Sequence, residues 1–121
     1  MLKDSLYHIL SVTNADGVIN AVIELNADNE IFQGHFPEQP VLPGACMLQM
    51  VKEILENELQ TSYRLQKAEN LKFLAMIDPR LHRTLYLEAN FSTDEDGMRV
   101  TANLNTDEQA AFKLQATFIA D

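Results

Sequence analysis

At 121 residues, with 46% hydrophobic and 22% charged side chains, the chain has the balance of one globular domain, residues 1–121, with a real core. A single cysteine, Cys46, excludes an internal disulfide and any cysteine-rich metal cluster, and no apolar run approaches membrane-spanning length. The net charge of −9 argues against nucleic acid as a partner.

The first residues, Met1 to Ser5, lack the apolar core of a signal peptide, so a cytoplasmic location is expected. Leu6 to Val12 reads as a strand, and Asn14-Ala15-Asp16-Gly17 has turn chemistry. Val18 to Leu25 alternates, with Ile19, Ala21, Ile23 and Leu25 on one face, which predicts a hairpin. Asn26 to Glu30 is a polar loop whose end Ile31 and Phe32 pin to the core.

Residues 34–44, Gly-His-Phe-Pro-Glu-Gln-Pro-Val-Leu-Pro-Gly, hold three of the four prolines and two of the four glycines. Prolines fix φ and remove backbone donors, so a stiff loop is expected here. The Pro43-Gly44 step then opens a helix over Ala45 to Leu59, whose first amides lack internal partners. Met47, Leu48, Val51, Ile54, Leu55 and Leu59 share one side of that helix, and Gln49, Lys52, Glu53 and Glu56 the other. A rigid loop thus brings the imidazole of His35 beside a helix N-terminus, a place to take a proton and hold the resulting negative charge.

Four more strands are predicted: Lys67 to Met76, Thr84 to Phe91, Arg99 to Asn105, and Ala110 to Ile119. Asp94 to Gly97 and Asn105 to Glu108 are turns. One helix cannot cover both faces of so large a sheet. The order therefore predicts an α+β fold, a curved antiparallel sheet wrapped around one long central helix, with an edge left to pair with a second copy. Arg64, Lys67, Lys72, Arg80 and Arg83, opposed only by Glu69 and Asp78, make the Arg64–Arg83 stretch net positive. It is either a solvated surface or a landing site for an acidic partner.

The segment Gly34 to Gly44, with the helix after it, resembles the signature of the hot-dog fold 3-hydroxyacyl-acyl-carrier-protein dehydratases. Asn29-Glu30-Ile31-Phe32 and Asn70-Leu71-Lys72-Phe73 resemble flanking segments of that family. The chain begins close to its first strand, where the family usually carries a further segment. The resemblance implies a hot-dog fold, a homodimer or larger assembly of dimers, and a site at the dimer interface. It also implies a substrate on the phosphopantetheine of an acyl carrier protein, and no metal or organic cofactor. By position, His35 matches the catalytic histidine, and Gly44 the glycine whose amide binds the thioester carbonyl. Phe36 and Ala45 are further substrate-binding candidates. Arg64, Lys67, Arg80 and Arg83 are candidates for docking the acidic carrier.

One departure bears on mechanism. Fourteen residues after the histidine the family places an acid, and this chain has Gln49; four residues later the family commonly has glutamine, and this chain has Glu53. Gln49 and Glu53 read either as an exchanged catalytic pair, one helical turn apart, or as part of a solvated face with Lys52 and Glu56. The expected activity is dehydration of 3-hydroxyacyl thioesters to trans-2-enoyl thioesters, in fatty-acid or related polyene or polyketide synthesis. The alternatives are a carrier-binding subunit of a heterodimer with little turnover, a hot-dog thioesterase, and a hydratase of coenzyme A thioesters. Cys46, His8 and His82 are expected to be structural or exposed.

Overall fold

A computed structural model describes residues 1–33 and 40–121 of the chain. Six antiparallel strands form one sheet: β1 (Tyr7–Ala15), β2 (Val18–Leu25), β3 (Tyr63–Phe73), β4 (Thr84–Asp94), β5 (Gly97–Asn105) and β6 (Ala110–Ala120). Their spatial order is β1-β2-β4-β5-β6-β3. Helix α1 (Gly44–Leu59) is the one long helix among the described residues, and a 3-10 turn at Glu30–Phe32 precedes it. This is the sheet-and-helix arrangement that the element order predicts, and the hot-dog fold that the resemblance implies.

Period-two alternation places the core. Ile19, Ala21, Ile23 and Leu25 of β2, Leu85, Leu87 and Ala89 of β4, and Met98, Val100, Ala102 and Leu104 of β5 are all buried. So are Phe112, Leu114, Ala116 and Phe118 of β6. They form one apolar cluster with Met47, Met50, Val51, Ile54 and Leu55 of α1. A one-residue slip of any central strand would turn this set to solvent, so burial fixes the register. Phe32 is buried and Ile31 packs against the same cluster, as expected for loop anchors.

The first hairpin is tighter than predicted. Asn14 and Ala15 belong to β1, and Ala15 pairs directly with Val18. The turn is Asp16-Gly17 alone, with φ of 54° and 77°. Two consecutive positive φ values match the right-handed twist of the flanking strands.

Strand β3 differs most from expectation. It begins at Tyr63 rather than Lys67 and ends at Phe73 rather than Met76. Only Tyr63 and Leu71 are partly buried; the other nine residues are exposed. The strand lies at the sheet edge and pairs with β6 through two register shifts, near Gln66 and Glu69. Exposed on both faces, it carries no alternation to mark its ends.

The two ends of β3 also divide the basic stretch. Arg64 lies at one end, beside Asp121 at 3.8 Å. Arg80 and Arg83 lie beyond the other end, about 30 Å away at a strand's rise per residue. Arg80 grips Asp78 from its backbone N and its Nε, which donate to Oδ1 at 2.9 and 3.1 Å, and from Nη2, which donates to Oδ2 at 2.8 Å.

Candidate active site

Helix α1 starts where Pro43, extended at φ −62° and ψ 145°, caps it without a side-chain hydrogen bond. The Cys46 and Met47 amides both donate to the Pro43 carbonyl, at 3.0 and 3.2 Å. The amides of Gly44 and Ala45 have no partner among the described residues. Two such donors at the positive end of a 16-residue helix are the kind of group that can hold a carbonyl oxygen gaining charge.

Gly44 permits a close approach. A Cβ there would lie 2.5 Å from two ring atoms of Phe73. That ring stacks on buried Phe112, with centroids 5.3 Å apart and planes at 28°, yet is itself 55% exposed. The final residue of β3 thus forms an aromatic wall over the first residue of α1. Leu42 donates to the Ile77 carbonyl at 2.9 Å, tying the chain before the helix to the segment after β3.

One and two turns further along α1 come Gln49 and Glu53. Glu53 is not on a solvated face with Lys52 and Glu56; it is 1% exposed. Its spacing explains this, because Cys46, Met50 and Glu53 fall on one stripe at i, i+4 and i+7. A buried carboxylate must find donors, and Glu53 has four groups around it. Leu2 N lies 2.9 Å from Oε2 and 3.1 Å from Oε1, Lys3 N 2.9 Å from Oε1, and the Tyr7 hydroxyl 3.1 Å from Oε1. Gln49 Nε2 completes the set at 2.9 Å from Oε2. Burial alone would push the Glu53 carboxyl up, but these hydrogen bonds outweigh it and hold it below the usual carboxylate range. Burial raises the Tyr7 phenol strongly, and the Glu53 charge adds to that rise. Burial, and again the Glu53 charge, raise the Cys46 thiol.

The structure thus brings Gly44, Ala45, Gln49 and Glu53 together on α1. His35 and Phe36 lie outside the described residues. Arg64 and Lys67 sit on β3, apart from Arg80 and Arg83. Tyr7 and the Leu2 and Lys3 amides were not among the sequence candidates. Tyr7 reads in sequence as one more strand residue, and only the buried-stripe spacing of Glu53 signals that a polar partner is needed. His82 Nδ1 meets Asp107 Oδ1 at 3.2 Å, with exposed Glu108 beside them. This group ties the chain before β4 to the β5–β6 turn, and His8 pairs with Asp4 on the surface.

The profile of the ApeI-like family, described as ApeI dehydratase, matches residues 11–115. The chain belongs to the ApeI-like dehydratase family. Its hot-dog fold is shared by the dehydratase heterocomplex ApeI:P from Xenorhabdus doucetiae, at 24% identity and TM-score 0.77, covering 93% of this chain and 96% of that one. An uncharacterized protein from Erwinia carotovora subsp. atroseptica aligns at 22% identity and TM-score 0.69, over 94% and 92% of the two chains. A hypothetical thioesterase from Streptococcus pneumoniae TIGR4, solved with coenzyme A, aligns at 12% and 0.67, over 95% and 85%. No curated protein matches the chain significantly. Among the described residues of this ApeI-like protein, no helix is long and apolar enough to cross a membrane.

Proposed function

We propose that the protein dehydrates 3-hydroxyacyl thioesters carried on an acyl carrier protein, giving trans-2-enoyl thioesters. The observation that carries this reading is the Gly44 and Ala45 amide pair at the start of α1, without a partner among the described residues, in a chain of the ApeI-like dehydratase family. The thioester oxygen sits on those amides. His35 removes the proton from C2, and charge grows on the held oxygen. As that charge returns, the C2–C3 double bond forms and the C3–O bond breaks. The departing hydroxide needs a proton. Gln49 cannot supply one by titration, and Glu53 is an ionised acceptor with all its near donors in place. The imidazolium of His35 therefore returns its proton to the leaving oxygen, which departs as water while Gln49 holds the hydroxyl. No cofactor enters this scheme.

The site is completed by a second copy of the chain. An 11-residue edge strand exposed on both faces is an open template for pairing. Antiparallel pairing of β3 with its equivalent would bring the Arg64 end of one protomer to the same end of the joined sheet as the Arg80–Arg83 end of the other. The four docking candidates, separated within one chain, would then form one basic surface for an acidic carrier.

Incubation with a short 3-hydroxyacyl carrier protein, with mass detection of water loss, tests the reading. His35→Ala should lower the rate roughly 10²–10⁴-fold with the fold intact. Full activity in that variant would remove His35 from the mechanism. Release of free thiol without water loss would identify a thioesterase, and equal turnover of coenzyme A thioesters a hydratase. A second reading rests on Gln49 in place of a titrating acid. The chain would be the low-turnover member of a heterodimer, an assembly type represented by the ApeI:P heterocomplex. Activity that appears only on mixing with a second dehydratase-like subunit would favour it.

A further inference from the structure

The network around Glu53 does more than bury a charge. An ionised carboxylate only accepts hydrogen bonds, so the 2.9 Å contact with Gln49 must use the amide nitrogen. The Gln49 carbonyl oxygen then points away from Glu53, and neither it nor the second N–H of Nε2 has a partner among the described residues. Donation to a charged acceptor also polarises the amide and strengthens that oxygen as an acceptor.

The remaining donors come from a folded turn, not a loose tail. Ser5 N and Leu6 N donate to Leu2 O at 3.1 and 2.8 Å, and Asp4 N to Tyr7 O at 2.7 Å. Asp4 takes the left-handed region, φ 67°, that this turn requires. The side chains of Asn26 and Asn29 both donate to Ser5 O at 3.0 Å and fasten the turn to the loop after β2. The turn aims two amides, and β1 a hydroxyl, at one carboxylate.

On the dehydratase reading, we infer that Glu53 is a positioning residue that locks the Gln49 amide with its carbonyl oxygen outward, so that the site selects a hydrogen-bond donor at C3 of the acyl chain. A 3-hydroxyacyl group offers that donor. A 3-oxoacyl group offers that oxygen only a second acceptor and binds more weakly.

The test uses 3-hydroxybutyryl and 3-oxobutyryl pantetheine thioesters, titrated into His35→Ala protein so that turnover is blocked. The hydroxy compound should bind about tenfold tighter, the worth of one hydrogen bond. Adding Glu53→Gln frees the amide to turn over and should reduce the ratio to about twofold or less. Adding Tyr7→Phe removes one donor but keeps the carboxylate and its bond to Gln49, so the ratio should survive. Equal collapse in both variants would mean that a loosened fold, not amide orientation, sets the preference, and would overturn the inference. Nitrogen-15 NMR of the side-chain amides gives a readout free of substrate. In the wild-type protein one Gln49 amide proton should be shifted downfield and slow to exchange; it should lose both traits in Glu53→Gln and keep them in Tyr7→Phe. An unshifted, fast-exchanging wild-type signal overturns the inference even if Glu53→Gln fails to fold. If neither thioester binds while that signature is present, the dehydratase reading fails and the locked amide stands.

Discussion

The side-chain amide of Gln49 donates to the carboxylate of Glu53 across 2.9 Å, one helical turn along α1. Each residue thereby limits what the other can do. Glu53, held ionised by this bond and by the turn at Leu2–Lys3, has no proton to give near neutral pH. Gln49, with one N–H committed to Glu53, has its carbonyl oxygen turned away from that carboxylate and one further N–H left to donate.

Glu53 also couples stability to pH. Burial opposes its ionisation, and the donors from Leu2, Gln49, Lys3 and Tyr7 more than reverse that opposition, so its folded value lies below the unfolded one. A lowered value contributes stability above the unfolded pKa, and the contribution is lost as pH falls through the folded value. The titratable groups facing Glu53 are the Tyr7 phenol on β1 and the Cys46 thiol on α1, with Asp4 beyond Tyr7. Tyr7 and Cys46 are both raised and stay neutral through that range. Glu53→Gln should therefore cost about 2 kcal/mol at neutral pH, the worth of charged hydrogen bonds, and should flatten the acid limb. Denaturant melts between neutral pH and the carboxylate range test this. An unchanged acid limb in the variant would assign the pH dependence to other groups.

Placing an acid at position 49 should restore a proton donor. In Gln49→Glu the new carboxyl would sit beside an ionised carboxylate that already has its other donors. Two such groups cannot both ionise at this distance, so the new one is pushed up and stays protonated near neutral pH. Dehydration should rise by roughly 100-fold, the low end of general acid catalysis. It should gain a basic limb, falling as pH rises through the raised value. The double change Gln49→Glu with Glu53→Gln removes the neighbouring charge, and its basic limb should move to lower pH. A Gln49→Glu protein slower than the parent would show that the amide serves the reaction better than an acid does.

Gly44 and Phe73 can be separated by a double-mutant cycle. In Gly44→Ala the new methyl would meet the far end of the Phe73 ring, at 2.5 Å. The ring is half exposed and can swing out, so the main loss is its stack on Phe112, about 1 kcal/mol. In a Phe73→Ala background the same glycine substitution should cost little. Equal costs in both backgrounds would mean that Gly44 is needed for backbone conformation and not for the ring. Carbonyl binding at the helix start should weaken in Gly44→Ala in either background, if the amide there needs close approach.

Much of this architecture is legible in the chain, and the exceptions share one cause. Strands β2, β4, β5 and β6 have one buried face, so alternation marks them within three residues. Strand β3 is exposed on both faces and leaves no such mark. Residues 34–44 point to a dehydratase through their resemblance to that family's signature. The role of Glu53 is not legible that way. A polar residue on the apolar stripe of a helix means either exposure or a partner, and its partners, Leu2, Lys3 and Tyr7, lie some fifty residues away.

The last prediction concerns assembly. If β3 pairs with its equivalent, light scattering should give about twice the 13.7 kDa chain mass in dilute solution. Charge reversal at Arg83 and at Arg64 should then raise KM for a carrier-bound substrate while sparing short pantetheine thioesters. Docking through exposed charges is screened by salt, so both effects should shrink as ionic strength rises. Within one chain the two arginines stand about 30 Å apart at a strand's rise, too far to share one small acidic helix. Across an antiparallel β3 junction they come to the same end of the joined sheet. A dimer in which only Arg83 matters would keep the pairing but move the carrier to one end of it. A monomer in which neither matters would remove both the junction and the docking surface built on it.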